Sequence, residues 1–216
     1  MKKLYIVGSG GFSKQVIEIV EIINKKQEIY EIEGIIDDDK SMLGKKVFGY
    51  KVIGTTNHLN EISKKEKSYA VIAISNGRVK EKISKILLNI NYINLIHPSA
   101  VISDYTNIGQ GNVICGGVII NPDCIIGDHC HINIGSTFGH DVTLDNYVTI
   151  MPGSNISGNV NIKCKAMIGT GSVIIQGLEI GSETKIGAGA VLTKNAYNKN
   201  TYVGVPAKKV SYDSKG

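Results

Sequence analysis

The chain is 216 residues long, with 24 Lys and Arg against 19 Asp and Glu, a formal net charge of +5, and 42% hydrophobic residues. That length allows one large domain or two small ones, and a modest positive balance with no dense basic run suits small anionic ligands better than a nucleic acid. No stretch is apolar for long enough to span a membrane, and the four cysteines form neither a disulfide framework nor a metal-ligand pattern.

At the start of the chain, Lys2 and Lys3 lead into a strand-like run and a glycine turn rather than a long apolar segment, so no signal peptide is read and a cytoplasmic protein is expected. Leu4 to Val7 reads as a strand. It is followed by Gly8-Ser9-Gly10-Gly11-Phe12-Ser13 and then by Val16, Ile17, Ile19, Val20 and Ile23 at helical spacing. Such a turn aims backbone N–H groups and the positive end of a helix at whatever lies above it, commonly a phosphate. The third glycine of the dinucleotide fingerprint is missing, with Ser13 in its place. A second strand, Glu33 to Ile36, ends in Asp37-Asp38-Asp39. Val52-Ile53 and Ala70 to Ile74 read as further strands, and Val79 to Ile90 as a helix. Strands alternating with helices argue a small Rossmann-like parallel α/β domain over residues 1–95. Gly10 and Gly11 would let a diphosphate approach the backbone, and carboxylates after the next strand can accept from a base or a ribose. Asp39 and Lys40 are expected in a solvated loop. His97 marks the join to the second half of the chain and is expected to cap its beginning.

From Ile96 a large apolar residue recurs every six positions: Ile96, Ile102, Ile108, Ile114, Ile120, Ile126, Ile132, Phe138, Leu144, Ile150, Ile156, Ile162, Ile168, Ile174, Ile180, Ile186 and Leu192. Four residues after nearly every one stands something small or β-branched, among them Val118, Cys124, Cys130, Val148 and Ala166. A fixed internal period decides the architecture before local propensity does. Six is neither the helical nor the plain strand period. It fits a short strand, a corner and a repeat, with three hexads closing a triangular coil and coils stacking about 4.8 Å apart. A β-sandwich would need an alternating period and variable loops. Gly109, Gly127, Gly139, Gly169, Gly181 and Gly187 directly follow the large residue, where they are expected to supply unusual turn dihedrals. Cys124 and Cys130 fall in the inward column.

His140 stands two places after Phe138, at an outward position near a corner, with Asp141 next to it. An outward histidine beside a carboxylate is a candidate general base. With three hexads per coil, its neighbours above and below are Pro122 and Gly158, and the Gly158 N–H is a candidate oxyanion donor. Asn133, seven residues earlier, is a candidate for orienting a substrate. The run His129-Cys130-His131 alternates faces, and the His131 to His140 spacing is not a standard ligand spacing, so no metal is expected.

These hexapeptide repeats, together with the closing run Tyr202-Val203-Gly204-Val205-Pro206-Ala207-Lys208, resemble the left-handed β-helix sugar O-/N-acyltransferases. The resemblance covers the whole chain, because the sugar-acetylating branch also begins with a small nucleotide-binding domain. It implies a left-handed parallel β-helix over residues 96–216. The family motif of an Asn, a His followed by an acid, and a Gly one coil later falls on Asn133, His140, Asp141 and Gly158. The implied roles are base for His140, a residue raising its basicity for Asp141, and thioester-oxygen donor for the Gly158 N–H. The sugar nucleotide would sit at Gly10, Gly11, Phe12, Asp37, Asp38 and Gly54, and acetyl-CoA along Thr149, Thr170 and Ala188, in a groove between subunits of a homotrimer. Some relatives carry a histidine where this chain has Phe12, and some a second histidine where it has Thr149. The implied reaction is N-acetylation of a UDP-, dTDP- or GDP-linked deoxyamino sugar for surface glycan or O-antigen assembly, without a metal or an acyl-enzyme. O-acetylation of a sialic acid is the alternative within the architecture, and a non-catalytic sugar-nucleotide-binding protein the alternative of another class.

Overall fold

A computed structural model describes residues 1–210, and residues 211–216 of the expected second domain lie outside the described residues. The front of the chain runs β1 (Lys2–Val7), α1 (Gly11–Lys26), β2 (Tyr30–Ile36), β3 (Lys46–Val47), β4 (Tyr50–Gly54), α2 (Thr56–Ser63), β5 (Tyr69–Ile72), α3 (Gly77–Ile86) and β6 (Asn91–Tyr92). Its sheet has the order β3-β4-β2-β1-β5-β6 and is parallel apart from the β3–β4 hairpin. Alternation along β1 explains its two-sided burial. Leu4 and Ile6 pack with Val16, Ile17 and Val20 of α1, while Tyr5 and Val7 pack with Leu59 of α2 and with Ile83 and Leu87. The third helix begins two residues before the apolar pattern does, because the Asn76 side chain accepts from the N–H groups of Arg78 and Val79.

Behind this domain every hexad folds as a two-residue strand whose second residue is the large apolar one, from Leu95–Ile96 to Val191–Leu192. The strands form three parallel faces of a left-handed β-helix, in sheets of eight, six and five strands, the first including an antiparallel tail strand at Lys208–Lys209. Each residue pairs with the one a full coil later, as in Thr137 with Asn155 and Ile120 with Phe138. From Ile114 to Leu192 every member of the apolar column is at most 2% exposed, and burial of each such side chain is worth roughly 1.5–3 kcal/mol. The α1 side of the front domain shares one continuous core with Leu95, Val113 and Cys115 of the first face, so no flexible linker separates the two parts. Cys124 and Cys130 point inward and are buried.

The corners correct the expectation for the glycines. Left-handed backbone occurs at the third residue after the column, at Gly111, Gly117, Asp123, His129, Gly135, Asp141, Tyr147, Gly153, Asn159, Lys165, Gly171, Gly177, Glu183 and Gly189. The glycines directly after the column do not adopt it. They are small because the next coil passes too close: a Cβ on Gly169 would lie 2.6 Å from the Ala188 nitrogen. At Gly153, where φ is +66°, the same atom would meet nothing within 4 Å. Gly169→Ala is therefore expected to cost about 1–3 kcal/mol through overpacking. Gly153→Asn, which keeps a residue tolerant of left-handed backbone, is expected to cost about 1 kcal/mol or less. Urea unfolding followed by circular dichroism checks both.

Candidate functional site

The turn after β1 is shaped by Gly8, whose φ is +110° and whose Cβ would collide with the Ile74 side chain. Gly10 is the N-cap of α1 and offers no side-chain cap, and a Cβ on Gly10 or Gly11 would meet nothing within 4 Å. The Gly11 and Phe12 N–H groups have no acceptor among the described residues, as an anion site requires, while the Ser13 N–H bonds the Gly10 carbonyl at 3.0 Å. Asp37 is committed to holding this turn. One carboxylate oxygen accepts from the Ser9 N–H at 2.8 Å and from the Ser9 hydroxyl, and the other accepts from the Asp39 N–H at 2.9 Å. Asp38 is exposed and uses one oxygen on the Thr56 N–H at 2.8 Å, leaving the other open. Gly54 is buried against His58 and its carbonyl accepts from the Asp37 N–H, so it builds the wall rather than lining it. The Phe12 ring is half-buried against His131 of the prism, 4.9 Å between centroids, and serves the contact between domains.

On the prism, Asp141 takes a left-handed φ of +59°, and its carboxylate reaches back to His140 Nδ1 at 2.6 Å. That bond places the proton on Nδ1 and leaves Nε2 as the basic nitrogen. The imidazole is more than half exposed and lies over Gly158, where a Cβ would come within 2.9 Å of Nε2. The Gly158 N–H has no acceptor among the described residues. Equivalent N–H groups at other corners are taken by side chains: that of Gln110 by Asp128, that of Asp128 by Asn146, and that of Ser182 by Asn198. Gly158 is covered by the ring instead of standing clear beside it, so the pair forms one unit.

Known proteins match both parts of the chain. Residues 3–87 match the PglD N-terminal domain, and residues 123–158 match the bacterial transferase hexapeptide of six repeats. A GDP-perosamine N-acetyltransferase from Escherichia coli O157:H7 is 35% identical over 151 residues, which is 68% of this chain and 66% of that one. The structure of PerB from Caulobacter crescentus, in complex with CoA and GDP-perosamine, superposes with a TM-score of 0.89 at 31% identity over 98% of both chains. The chain belongs to the left-handed β-helix sugar O-/N-acyltransferase family. The acetyltransferase domain of PglB from Neisseria gonorrhoeae, in complex with acetyl coenzyme A, superposes with a TM-score of 0.87 at 33% identity over 97% of this chain and 99% of that one.

The fold divides the remaining expected family positions. Asn133, Thr170 and Ala188 follow strands of the first face, whereas His140 and Gly158 follow strands of the second. A single chain therefore carries them on two different edges of the prism. Thr170 and Ala188 are exposed there, and Asn133 is buried with its side-chain oxygen on the Ile134 N–H. Thr149 does not line an open groove: it is 2% exposed beneath the front domain, donating to the Ser75 carbonyl at 2.7 Å.

Lys80 is a residue that sequence reasoning missed. It is fully buried, its Nζ 3.1 Å from the Thr149 hydroxyl and 3.2 Å from the Val148 carbonyl, and burial pushes its amine down to about 7. The two neighbouring histidines are not on opposite faces in effect, since both are buried at the seam. His131 Nε2 bonds the Ile72 carbonyl at 2.8 Å, and His129 packs between Tyr92 and Tyr147. Burial raises Cys115 to about 12 and Cys130 to about 11, so both thiols stay protonated. Among the described residues no group of three His, Cys, Asp or Glu is arranged to hold a metal, and no helix is long and apolar enough to cross a membrane.

Burial lowers His129 to about 4. The unfolded chain then binds more protons than the native one below about pH 6.5, so this contribution is complete above that pH and is lost as pH falls towards 4. The unfolding midpoint should drop between pH 7 and pH 5, and His129→Phe, which keeps the stacking against Tyr147, should make that drop shallower in a thermal melt series.

Proposed function

We propose that this enzyme transfers the acetyl group of acetyl-CoA to the amino group of a nucleotide-linked deoxyamino sugar, in cytoplasmic assembly of a surface glycan such as an O-antigen. The single observation that carries the reading is the His140–Asp141 pair, 2.6 Å apart, with its ring seated on Gly158. The neutral amine attacks the thioester carbonyl carbon, forming the C–N bond. His140 Nε2 takes the proton from the attacking nitrogen, and Asp141 holds the Nδ1–H and stabilises the imidazolium. The Gly158 N–H is assigned to the tetrahedral oxyanion. Collapse breaks the C–S bond, and His140 returns its proton to the departing CoA sulfur. Three of the four cysteines are buried, and the half-buried Cys164 follows a strand of another face than His140, which argues against an acyl-enzyme and for both substrates bound together.

The front domain is assigned the sugar nucleotide, with Gly10, Gly11 and Asp38 facing it. Thr170 and Ala188 are assigned the coenzyme, and Asn133 the acceptor end. Because these three lie on another prism edge than His140, a complete site is assembled between copies, which supports a homotrimer. A hydroxyl acceptor would use the same base, and the perosamine N-acetyltransferases among the relatives favour the amine.

Thiol release from acetyl-CoA, measured against UDP-, dTDP- and GDP-amino sugars and CMP-sialic acid, tests the assignment. Turnover of at least one amino sugar is expected, and release with the sialic acid alone would overturn the choice of acceptor. His140→Ala should lower kcat by about 10²–10⁴-fold without moving the melting midpoint. Full activity in that variant would remove the catalytic reading.

A further inference from the structure

The most unusual group outside the acid–base pair is Lys80. It sits on α3 in the front domain, is 0% exposed, and has no carboxylate partner among the described residues. A buried ammonium without a counter-charge is costly. Here two acceptors face it, the Val148 carbonyl at 3.2 Å and the Thr149 hydroxyl at 3.1 Å, and a neutral amine has two N–H groups to match them. Cys130, His129 and His131 are the other titratable groups near it, all of the prism. The Thr149 hydroxyl has one proton, and it goes to the Ser75 carbonyl at 2.7 Å. The direction of the chain is thus fixed as Lys80 to Thr149 to Ser75: it leaves the front domain, passes through a prism residue and returns to the front domain.

Where it returns matters. Ser75 belongs to the loop after β5, at the ligand edge of the parallel sheet. Ala73 N donates to the Val7 carbonyl at 2.7 Å, and the Ile74 side chain fills the space a Cβ on Gly8 would need, so this loop is the wall against which the glycine turn is built. Its far end is fixed as well, since a Cβ on Gly77 would lie 2.9 Å from Lys165 Cα in the prism. We infer that Lys80 and Thr149 are a positioning pair: through Ser75 they hold the loop of residues 73–76 against the glycine turn, so that the prism sets the shape of the sugar-nucleotide pocket. The inference rests on the proposed sugar-nucleotide site.

The test compares Thr149→Val, which removes the hydroxyl at constant shape, with Thr149→Ser, which keeps it, and with Lys80→Met. Loss of one buried hydrogen bond, about 1–1.5 kcal/mol, corresponds to a rise of about five- to tenfold in KM for the amino-sugar nucleotide in Thr149→Val and Lys80→Met. KM for acetyl-CoA should stay within about twofold, Thr149→Ser should restore the wild-type value, and the double variant should be no worse than either single one. A lowered melting midpoint with both KM values unchanged, or an equal rise in both, would leave the pair merely structural and overturn the inference. Should the wild-type protein acetylate no amino sugar, the proposed reaction fails on its own. The variants are then compared by calorimetric Kd for GDP, UDP and dTDP. A weaker Kd in Thr149→Val, restored in Thr149→Ser, sustains the pair, and unchanged or absent binding overturns it.

Discussion

Everything on the prism is positioned by a translation of one coil along its axis. Gly139 N donates to the Ile156 carbonyl at 2.8 Å, and Asn159 N donates to the His140 carbonyl at 2.9 Å. These two bonds bracket the place where the imidazole meets Gly158. The stacking of the His140 backbone on that of Gly158 is therefore a main-chain property, and the inward column from Ile114 to Leu192 keeps it from relaxing. Groups carried by such a ladder start from a fixed backbone, which is the condition under which electrostatic preorganisation is most effective.

The same translation separates as firmly as it joins. Residues a coil apart share an edge, while residues one hexad apart lie on successive edges. His140 and Asn133 differ by about one hexad and so stand on successive edges of one chain. The front domain takes another part of the prism. Its core runs on into Leu95, Val113 and Cys115 of the first face, and α3 reaches higher coils at Thr149, Lys165 and Glu183. The seam also takes in Lys80, His129 and His131, all of them pushed by burial towards their neutral forms. The buried part of the seam keeps hydrogen-bond directionality without the desolvation cost of an isolated ion, while charges meet only in the Arg78, Glu81, Lys165 and Glu183 group, where each has a partner.

The legibility of the residues is set by this arithmetic. An unbroken period of six exposes the β-helix, and adding one coil to His140 finds Gly158, because neither step requires knowledge of tertiary packing. Lys80 was illegible for the opposite reason. On a short amphipathic helix a lysine reads as solvated, and only the prism packed over α3 buries it. Thr149 was assigned to the coenzyme by the resemblance alone, which carries no information about the front domain that covers it here, and Phe12, assigned in the same way, is half-buried against His131. The glycines failed at a finer level. Two kinds of place in each hexad demand a missing side chain, one for dihedral reasons and one for closeness to the next coil. Composition cannot assign a glycine to either, whereas the phase relative to the apolar column can.

The resemblance sets two residues apart, Phe12 and Thr149, as places where some members of the family are expected to carry histidine. Both lie at the seam and neither on the edge that holds His140. Phe12 is stacked on His131, and Thr149 is bonded to Lys80 and Ser75. Each is held by its own set of neighbours, one aromatic and one hydrogen-bonded. Both side chains act on the grip between the two domains, and neither touches the His140–Asp141 pair. The two are thus physically separable on this fold: the seam holds the loops of the front domain, while the coil-to-coil ladder carries His140 over Gly158.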